Sequence, residues 1–190
     1  ELGKDYLAAG FYDRAEEIFL NLVSQDDHSE ESETQLIAIY QVIKEWQKAI
    51  DITKRLSRKR QLVLKPITAH FYCQLADETS DDAEKVKLLQ QALKQDPKCG
   101  RALLTLAKKF LDAKDYSQCK SMLIALKKAD IELFADALPT AKEVYRDTQD
   151  KEGYQELLAG AMAEGAGASV VVALAQHMIS LDEIKAAENM

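Results

Sequence analysis

The sequence predicts an all-α fold, and three observations support this prediction. Helix-forming residues dominate the composition, and the 190 residues include only seven Gly and three Pro. Apolar side chains recur three and four positions apart, the spacing that places them on one face of a helix. Aromatic and small residues recur 34 positions apart, at the pairs Tyr6 and Tyr40, Tyr12 and Trp46, and Ala15 and Ala49. A period of this length is typical of stacked helical hairpins, which gives an α-solenoid of superhelical form.

The period divides the chain into six units, each expected to form two helices joined by a short turn. We place five units at 1–29, 30–63, 66–99, 100–133 and 135–165, and a partial unit at 168–190. In the partial unit, residues 168–180 should form a first helix and residues 181–190 a second.

Two units depart from the pattern at the position near the start of the second helix where other units have a small residue. In the third unit, counting back from Pro97 puts Lys85 at this position, whereas the unslipped register puts Ala83 there. The sequence leaves both registers open. In the degenerate fifth unit, Tyr154 lies near this position.

Turn residues mark several helix ends. Gly10 can end a first helix in the left-handed conformation, and Asp115 is a candidate N-cap before Tyr116. Pro66 and Pro139 are expected near helix starts, where a missing N–H is tolerated best.

Charge and apolar patterning exclude several classes of protein. The net charge of −7 argues against a nucleic-acid-binding array, which needs a continuous basic stripe. No apolar stretch approaches the roughly 20 residues that cross a bilayer. Three widely spaced cysteines form neither a disulfide framework nor a metal site, so we expect a reducing compartment. The chain lacks an initiator Met and a leader, so we expect a fragment of a longer protein.

Catalysis and metal binding are not expected, because no phosphate loop, nucleophile elbow or paired-cysteine motif occurs. His28, His70 and His177 have no ligand spacing. Cys73 and Cys119 could be nucleophiles, but buried packing positions are favoured. We therefore expect neither enzymatic activity nor a cofactor in this chain.

Two further features have a structural and a functional interpretation. The single Trp46 is expected to pack between helices rather than to bind a ligand. A basic cluster is expected at the end of a second helix and the following loop, where it either stabilises the helix end or docks an acidic partner or an anionic membrane surface. Without interleaved aromatic residues, the solvated helix end is favoured. The cluster comprises Lys54, Arg55, Arg58, Lys59, Arg60 and Lys65.

The 34-residue spacing of the aromatic and small residues, such as Tyr6 and Tyr40 or Ala15 and Ala49, resembles the tetratricopeptide repeat. In such arrays the first helices line a groove that holds a partner protein, so the resemblance implies protein partners. The register gives these groove-facing candidates: Lys4 and Leu7; Thr34, Ala38 and Gln41; His70, Gln74 and Asp77; and Arg101, Leu104 and Lys108. Thr34 with Ala38, and His70 with Gln74, do not form the Lys and Asn clamp that binds chaperone C-termini in this family.

Three stretches, 5–16, 45–51 and 69–76, resemble the lipopolysaccharide assembly protein B family of Gram-negative bacteria. That resemblance implies a regulator that brings the committed-step deacetylase of lipopolysaccharide synthesis to a membrane AAA protease. It also implies a parent protein anchored to the inner membrane and facing the cytoplasm, with a rubredoxin-type metal domain outside this chain. A scaffold for another envelope or secretion assembly, and pairing into a homodimer, stay open as alternatives.

Overall fold

The computed structural model describes residues 1–25, 29–56 and 58–188, and His28 and Met190 lie outside this part of the chain. Every regular element in these ranges is helical, which confirms the all-α prediction. The elements are α1 (Leu2–Ala8), α2 (Tyr12–Ser24), α3 (Ser29–Val42), α4 (Trp46–Arg55), α5 (Arg58–Glu78), α6 (Asp82–Gln95), α7 (Gly100–Asp112), α8 (Tyr116–Ala129), α9 (Ile131–Phe134), a 3₁₀ turn (Ala135–Ala137), α10 (Leu138–Asp147), α11 (Lys151–Ala163) and α12 (Ala168–Glu188).

The chain divides into two compact units, one ending at Pro97 and the other beginning at Lys98. In the first unit, helices α1 to α6 each pack against the next helix in the chain. Their apolar faces meet in a core that includes Leu36, Ile50 and Phe71, all fully buried. A single hairpin could not bury these faces, so consecutive hairpins stabilise one another.

The second unit uses the same local packing from α7 to α12. Leu103, Leu123, Phe134 and Leu158 are among its large buried side chains. Phe134 comes from the short helix α9, which packs against α7 and α8. Helix α9 therefore contributes to the core of this unit.

The second helices of the hairpins share one register. Their fourth residues are Ala15, Ala49, Lys85, Cys119 and Tyr154. All but Lys85 are buried, and Lys85 is half-buried. Since α6 begins at Asp82, the register that places Lys85 here is the correct one, and Ala83 lies exposed at the second position.

The turn before the second helix repeats a left-handed backbone. Gly10 has φ of 79°, which confirms its predicted conformation, and Lys44, Lys114 and Gln149 have φ of 60°, 58° and 54° at the equivalent position. A residue with a Cβ atom costs about 1 kcal/mol in this conformation. The turn geometry is therefore kept even where the sequence does not supply glycine.

Aspartate caps begin four of the helices in the described ranges. Asp115 Oδ1 accepts a hydrogen bond from the Gln118 backbone N–H at 3.2 Å, which confirms the predicted cap of α8. Asp81, Asp130 and Asp150 cap α6, α9 and α11 in the same way.

Two expectations about helix boundaries are wrong. Pro139 does lie in the first turn of α10, but Pro66 lies inside α5, which begins eight residues earlier at Arg58. Proline removes one helical donor, so the Leu62 carbonyl loses its partner while the helix continues on both sides. The chain from Ala168 to Glu188 is one helix rather than two, because no Gly or Pro interrupts it near Ser180.

The basic cluster consequently has a different location from the one expected. Lys54 and Arg55 end α4, but the other four cations lie in the first two turns of α5 rather than in a loop.

Among the described residues, no helix combines the length and the apolar character needed to cross a bilayer.

Candidate partner-binding surfaces

The groove candidates of the first unit all lie on its first helices, α1, α3 and α5. None of them is buried. Those exposed are Lys4, Thr34, Gln41, His70 and Asp77, and those half-buried are Leu7, Ala38 and Gln74. We call the surface formed by these helices the first-unit face.

Side-chain contacts join neighbouring helices across the first-unit face. Lys4 Nζ lies 2.5 Å from Glu31 Oε1, linking α1 to α3, and this contact raises the pKa of the lysine. Arg60 links α5 to α3, because its guanidinium donates to the Glu30 carbonyl oxygen at 2.9 Å and to the Thr34 hydroxyl oxygen. The Thr34 hydroxyl in turn donates to the Glu30 carbonyl at 2.8 Å. Thr34 is therefore engaged in holding the helices together.

His70 and Gln74 interact with each other on α5. Gln74 Nε2 lies 3.0 Å from His70 Nε2, and since an amide nitrogen only donates, the ring nitrogen accepts. Both side chains remain accessible at the surface, where they present hydrogen-bonding groups to solvent or to a partner.

In the second unit, the predicted candidates lie on α7. Arg101 and Lys108 are exposed and Leu104 is half-buried. Their spacing of three and four residues places them on one side of the helix.

The second unit also contains a groove that the sequence did not indicate. It measures about 1040 Å³ and lies between α10, the start of α11 and α12. Its aromatic residues come from three different helices: Tyr145 and Tyr154 have ring centroids 5.7 Å apart, and Tyr154 contacts His177 edge to face at 4.9 Å. His177 Nε2 donates to the Lys151 carbonyl oxygen at 2.9 Å, which fixes the imidazole ring. We call this site the second-unit groove.

Contacts among Lys120, Tyr145 and Asp150 hold the aromatic side of the groove in place, and Tyr145 and Asp150 themselves line it. Lys120 Nζ lies 4.4 Å from the Tyr145 ring centroid and 2.7 Å from Asp150 Oδ2. The lysine and the Gly153 backbone N–H lower the pKa of the Asp150 carboxyl, which is therefore ionised at neutral pH. Burial, with a smaller effect of the Asp150 charge, raises the pKa of Tyr145 to about 12, so the phenol is neutral.

The rim of the second-unit groove is cationic and one wall is aliphatic. Lys142 and Lys151 are exposed, and neither has a carboxylate within ion-pair distance in the described ranges. Arg146 pairs with Asp147 at 2.9 Å. Across the groove, Val172 of α12 is 53% exposed. This arrangement suits an apolar segment that carries acidic side chains.

Sequence reasoning could not locate this groove, because Tyr145, Tyr154 and His177 follow no common period. They approach one another only when α10, α11 and α12 pack. A sequence signal did exist in the position of Tyr154, where other units have a small residue.

Trp46 and the cysteines occupy packing positions. Trp46 is 9% exposed, stacks on Phe71 with ring centroids 6.1 Å apart and donates from Nε1 to Glu78 Oε1 at 2.7 Å. Cys73 and Cys119 are buried, and burial raises the pKa of the Cys119 thiol to about 11. A thiol in that state is a poor nucleophile. Within the described ranges, no cluster of three His, Cys, Asp or Glu side chains could hold a metal ion.

Comparison with known proteins relates part of the chain to a known repeat family. A tetratricopeptide repeat family model matches residues 74–131. Two solved structures, a thermophilic tetratricopeptide-repeat protein of Thermus thermophilus and MamA, match 94% and 98% of this chain. They share 15% and 16% sequence identity, with TM-scores of 0.40 and 0.38. The matches cover 96% and 98% of those two chains. Residues 74–131, which include helices α6, α7 and α8, thus match the tetratricopeptide repeat.

Curated relatives extend the similarity to nearly the whole chain. Lipopolysaccharide assembly protein B of Escherichia coli (strain K12) is 32% identical over 99% of this chain and 49% of its own length. The protein of the same name from Haemophilus influenzae is 29% identical over 83% of this chain and 40% of its own length. The chain thus resembles lipopolysaccharide assembly protein B, and it spans about half the length of these relatives.

Proposed function

We propose that this chain is a non-catalytic protein-interaction module that regulates lipopolysaccharide synthesis. It brings the committed-step deacetylase to a membrane AAA protease and so sets the rate at which the deacetylase is degraded. The observation that supports this role is the 32% identity to lipopolysaccharide assembly protein B across 99% of the chain. In this proposal the chain works in the cytoplasm without a cofactor, and its parent protein is anchored to the inner membrane.

The second-unit groove is the surface we assign to the partner. Partner segments bind tightly when apolar side chains enter a preformed pocket and charges on the rim are complementary. Tyr154 and Val172 supply the apolar walls, and Lys142 and Lys151 supply the positive rim. The exposed candidates of the first-unit face and of α7 are proposed to make additional contacts with the same partner.

The direct test measures binding of the purified deacetylase and of the purified protease to the chain by calorimetry. Val172→Asp places a carboxylate in the groove wall and should weaken binding of one partner at least about tenfold, since burying an unpaired charge costs well over ~1.4 kcal/mol. Ile179→Asp is the matched control. Ile179 lies on the same helix and is 58% exposed, but it is outside the groove, so binding should be unchanged.

A cellular measurement tests the regulatory step. Deleting the gene for the parent protein should lengthen the half-life of the deacetylase, and restoring it with Val172→Asp should not reverse this change. If neither enzyme binds and the half-life is unchanged, the chain serves a different assembly. Binding that survives Val172→Asp but is lost in Gln41→Arg would place the partner on the first-unit face instead.

A further inference from the structure

We infer that the corner between α4 and α5 is a peripheral binding surface for an anionic lipid bilayer. This surface, which we call the basic corner, is formed by the six cations between Lys54 and Lys65 together with Leu62 and Val63. It is separate from the second-unit groove and does not depend on the identity of the protein partner.

The charge of this segment is unusual for the chain. Between Asp51 and Asp77 there are six Lys and Arg residues and no Asp or Glu, in a sequence whose net charge is −7. Three of the six, Arg58, Lys59 and Arg60, lie in the first turn of α5, where the partial positive charge of the helix N-terminus disfavours cations. Arg58, Lys59 and Arg60 therefore do not stabilise the helix that they begin, whereas Lys54 and Arg55 lie in the last turn of α4 and fit the structural explanation.

Most of this charge is available to an external partner. Arg58 and Lys59 are exposed, and neither is paired with a carboxylate in the described part of the chain. Lys54 has a single ion pair, to Asp51 at 3.3 Å. Arg60 differs, since it is held by α3.

Two aliphatic side chains protrude beside these cations. Leu62 is 54% exposed and Val63 is 73% exposed. They lie four residues after Arg58 and Lys59 respectively, so the cations and the aliphatic pair share one face of α5. Lys and Arg next to protruding aliphatic residues is the combination that binds the interface of an anionic membrane.

A side-chain contact also ties the two helices of the corner together. The Gln61 side chain of α5 donates to the carbonyl oxygens of Lys54 and Leu56 at 2.8 and 2.9 Å, which ties the end of α4 to the first turns of α5. The cations of both helices are thus presented together. Protein interfaces are most often anchored by Trp, Tyr or Arg side chains, and this segment supplies no aromatic anchor. Nucleic acid would call for aromatic stacking platforms, and the segment from Lys54 to Lys65 contains no aromatic residue.

Vesicle co-sedimentation of the 190-residue chain tests the inference. Vesicles of phosphatidylglycerol and phosphatidylethanolamine should bind the chain, with affinity that falls as salt is raised, and vesicles of phosphatidylcholine should not. Each cation near the surface contributes about a fivefold increase in partitioning, so Arg58→Glu with Lys59→Glu should reduce binding at least about 25-fold. The control is Lys94→Glu with Lys128→Glu, which changes the net charge equally at two exposed lysines elsewhere and should bind as the unmodified chain does.

A second pair of variants tests the aliphatic contribution at constant charge. Leu62→Ser with Val63→Ser should reduce binding about tenfold, whereas Val42→Ser with Ile124→Ser, at sites 57% and 42% exposed, should not. Circular dichroism melting confirms that each variant folds.

Three results would overturn the inference. The first is absence of binding to the anionic vesicles. The second is an equal loss of binding in the Lys94 and Lys128 control. The third is binding of a polyglutamate peptide that is as strong as vesicle binding and is unchanged by Leu62→Ser with Val63→Ser. That result would assign the corner to an acidic protein.

Discussion

Replacing Trp46 by alanine should destabilise the first unit by about 3–5 kcal/mol, the range measured for large aromatic deletions in protein cores. The indole is 9% exposed, so its transfer from water supplies most of this value. Its stacking on Phe71 at 6.1 Å adds about 1 kcal/mol. The hydrogen bond to Glu78 at 2.7 Å adds about 1 kcal/mol more, because it is partly exposed to water.

Two variants separate these contributions. Trp46→Phe keeps an aromatic ring for Phe71 and removes the hydrogen bond, so it should cost less than half as much as Trp46→Ala. Glu78→Ala should change stability by about 1 kcal/mol in the presence of Trp46 and by much less in the Trp46→Phe background.

Urea unfolding followed by far-ultraviolet circular dichroism measures these differences without relying on tryptophan fluorescence. Val42→Ala, at a site 57% exposed, is the control and should change stability by less than about 0.5 kcal/mol. A loss below about 1 kcal/mol for Trp46→Ala would refute the assignment of the indole to the core.

Three other outcomes are expected. Gly10→Ala should cost about 1 kcal/mol in urea unfolding, because φ is 79° and no atom lies within 4 Å of the added methyl group. Asp150→Ala should cost about 1–2 kcal/mol at neutral pH through the lost cap and ion pair. Because folding lowers the pKa of this carboxyl, its contribution is complete above the ordinary carboxyl pKa and disappears as the pH falls through the folded value. In the native protein, a thiol reagent should modify the half-buried Cys99 quickly, and Cys73 and Cys119 only after unfolding.

A specific result would contradict each of these predictions. Gly167→Ala also meets no atom within 4 Å but has an ordinary φ, so an equal loss there would remove the backbone explanation. If Asp150→Ala is destabilised by the same amount in acid as at neutral pH, the carboxylate charge is not the source of the contribution that Asp150 makes to stability. A rapid thiol reaction that survives Cys99→Ser would show that a buried cysteine is accessible.

The regular part of the fold could be predicted because its information is local. The 34-residue spacing depends on small residues such as Ala15 and Ala49, which lie where two helices approach closely, and these are fully buried. Gly10 and Asp115 were predictable for the same reason, since turn and cap chemistry involves only a few neighbouring residues.

The errors occurred where tertiary packing overrides a local signal. Pro66 suggested a helix start, yet the flanking helix continues because its side chains pack on α4 and α6. The second-unit groove depends on Tyr145, Tyr154 and His177, which come together only through the packing of three helices. The groove candidates are exposed or half-buried, as expected from their positions in the helical register. Their contact with a partner stays a prediction.

The proline within α5 also has a consequence for motion. Because the Leu62 carbonyl has no helical donor at Pro66, the first two turns of α5 are connected to the remainder of the helix by one hydrogen bond fewer. Amide hydrogens in these turns should exchange with deuterium faster than those around Phe71, which is fully buried. The segment that bears the positive charge can then adjust its tilt while the buried half of the same helix stays fixed.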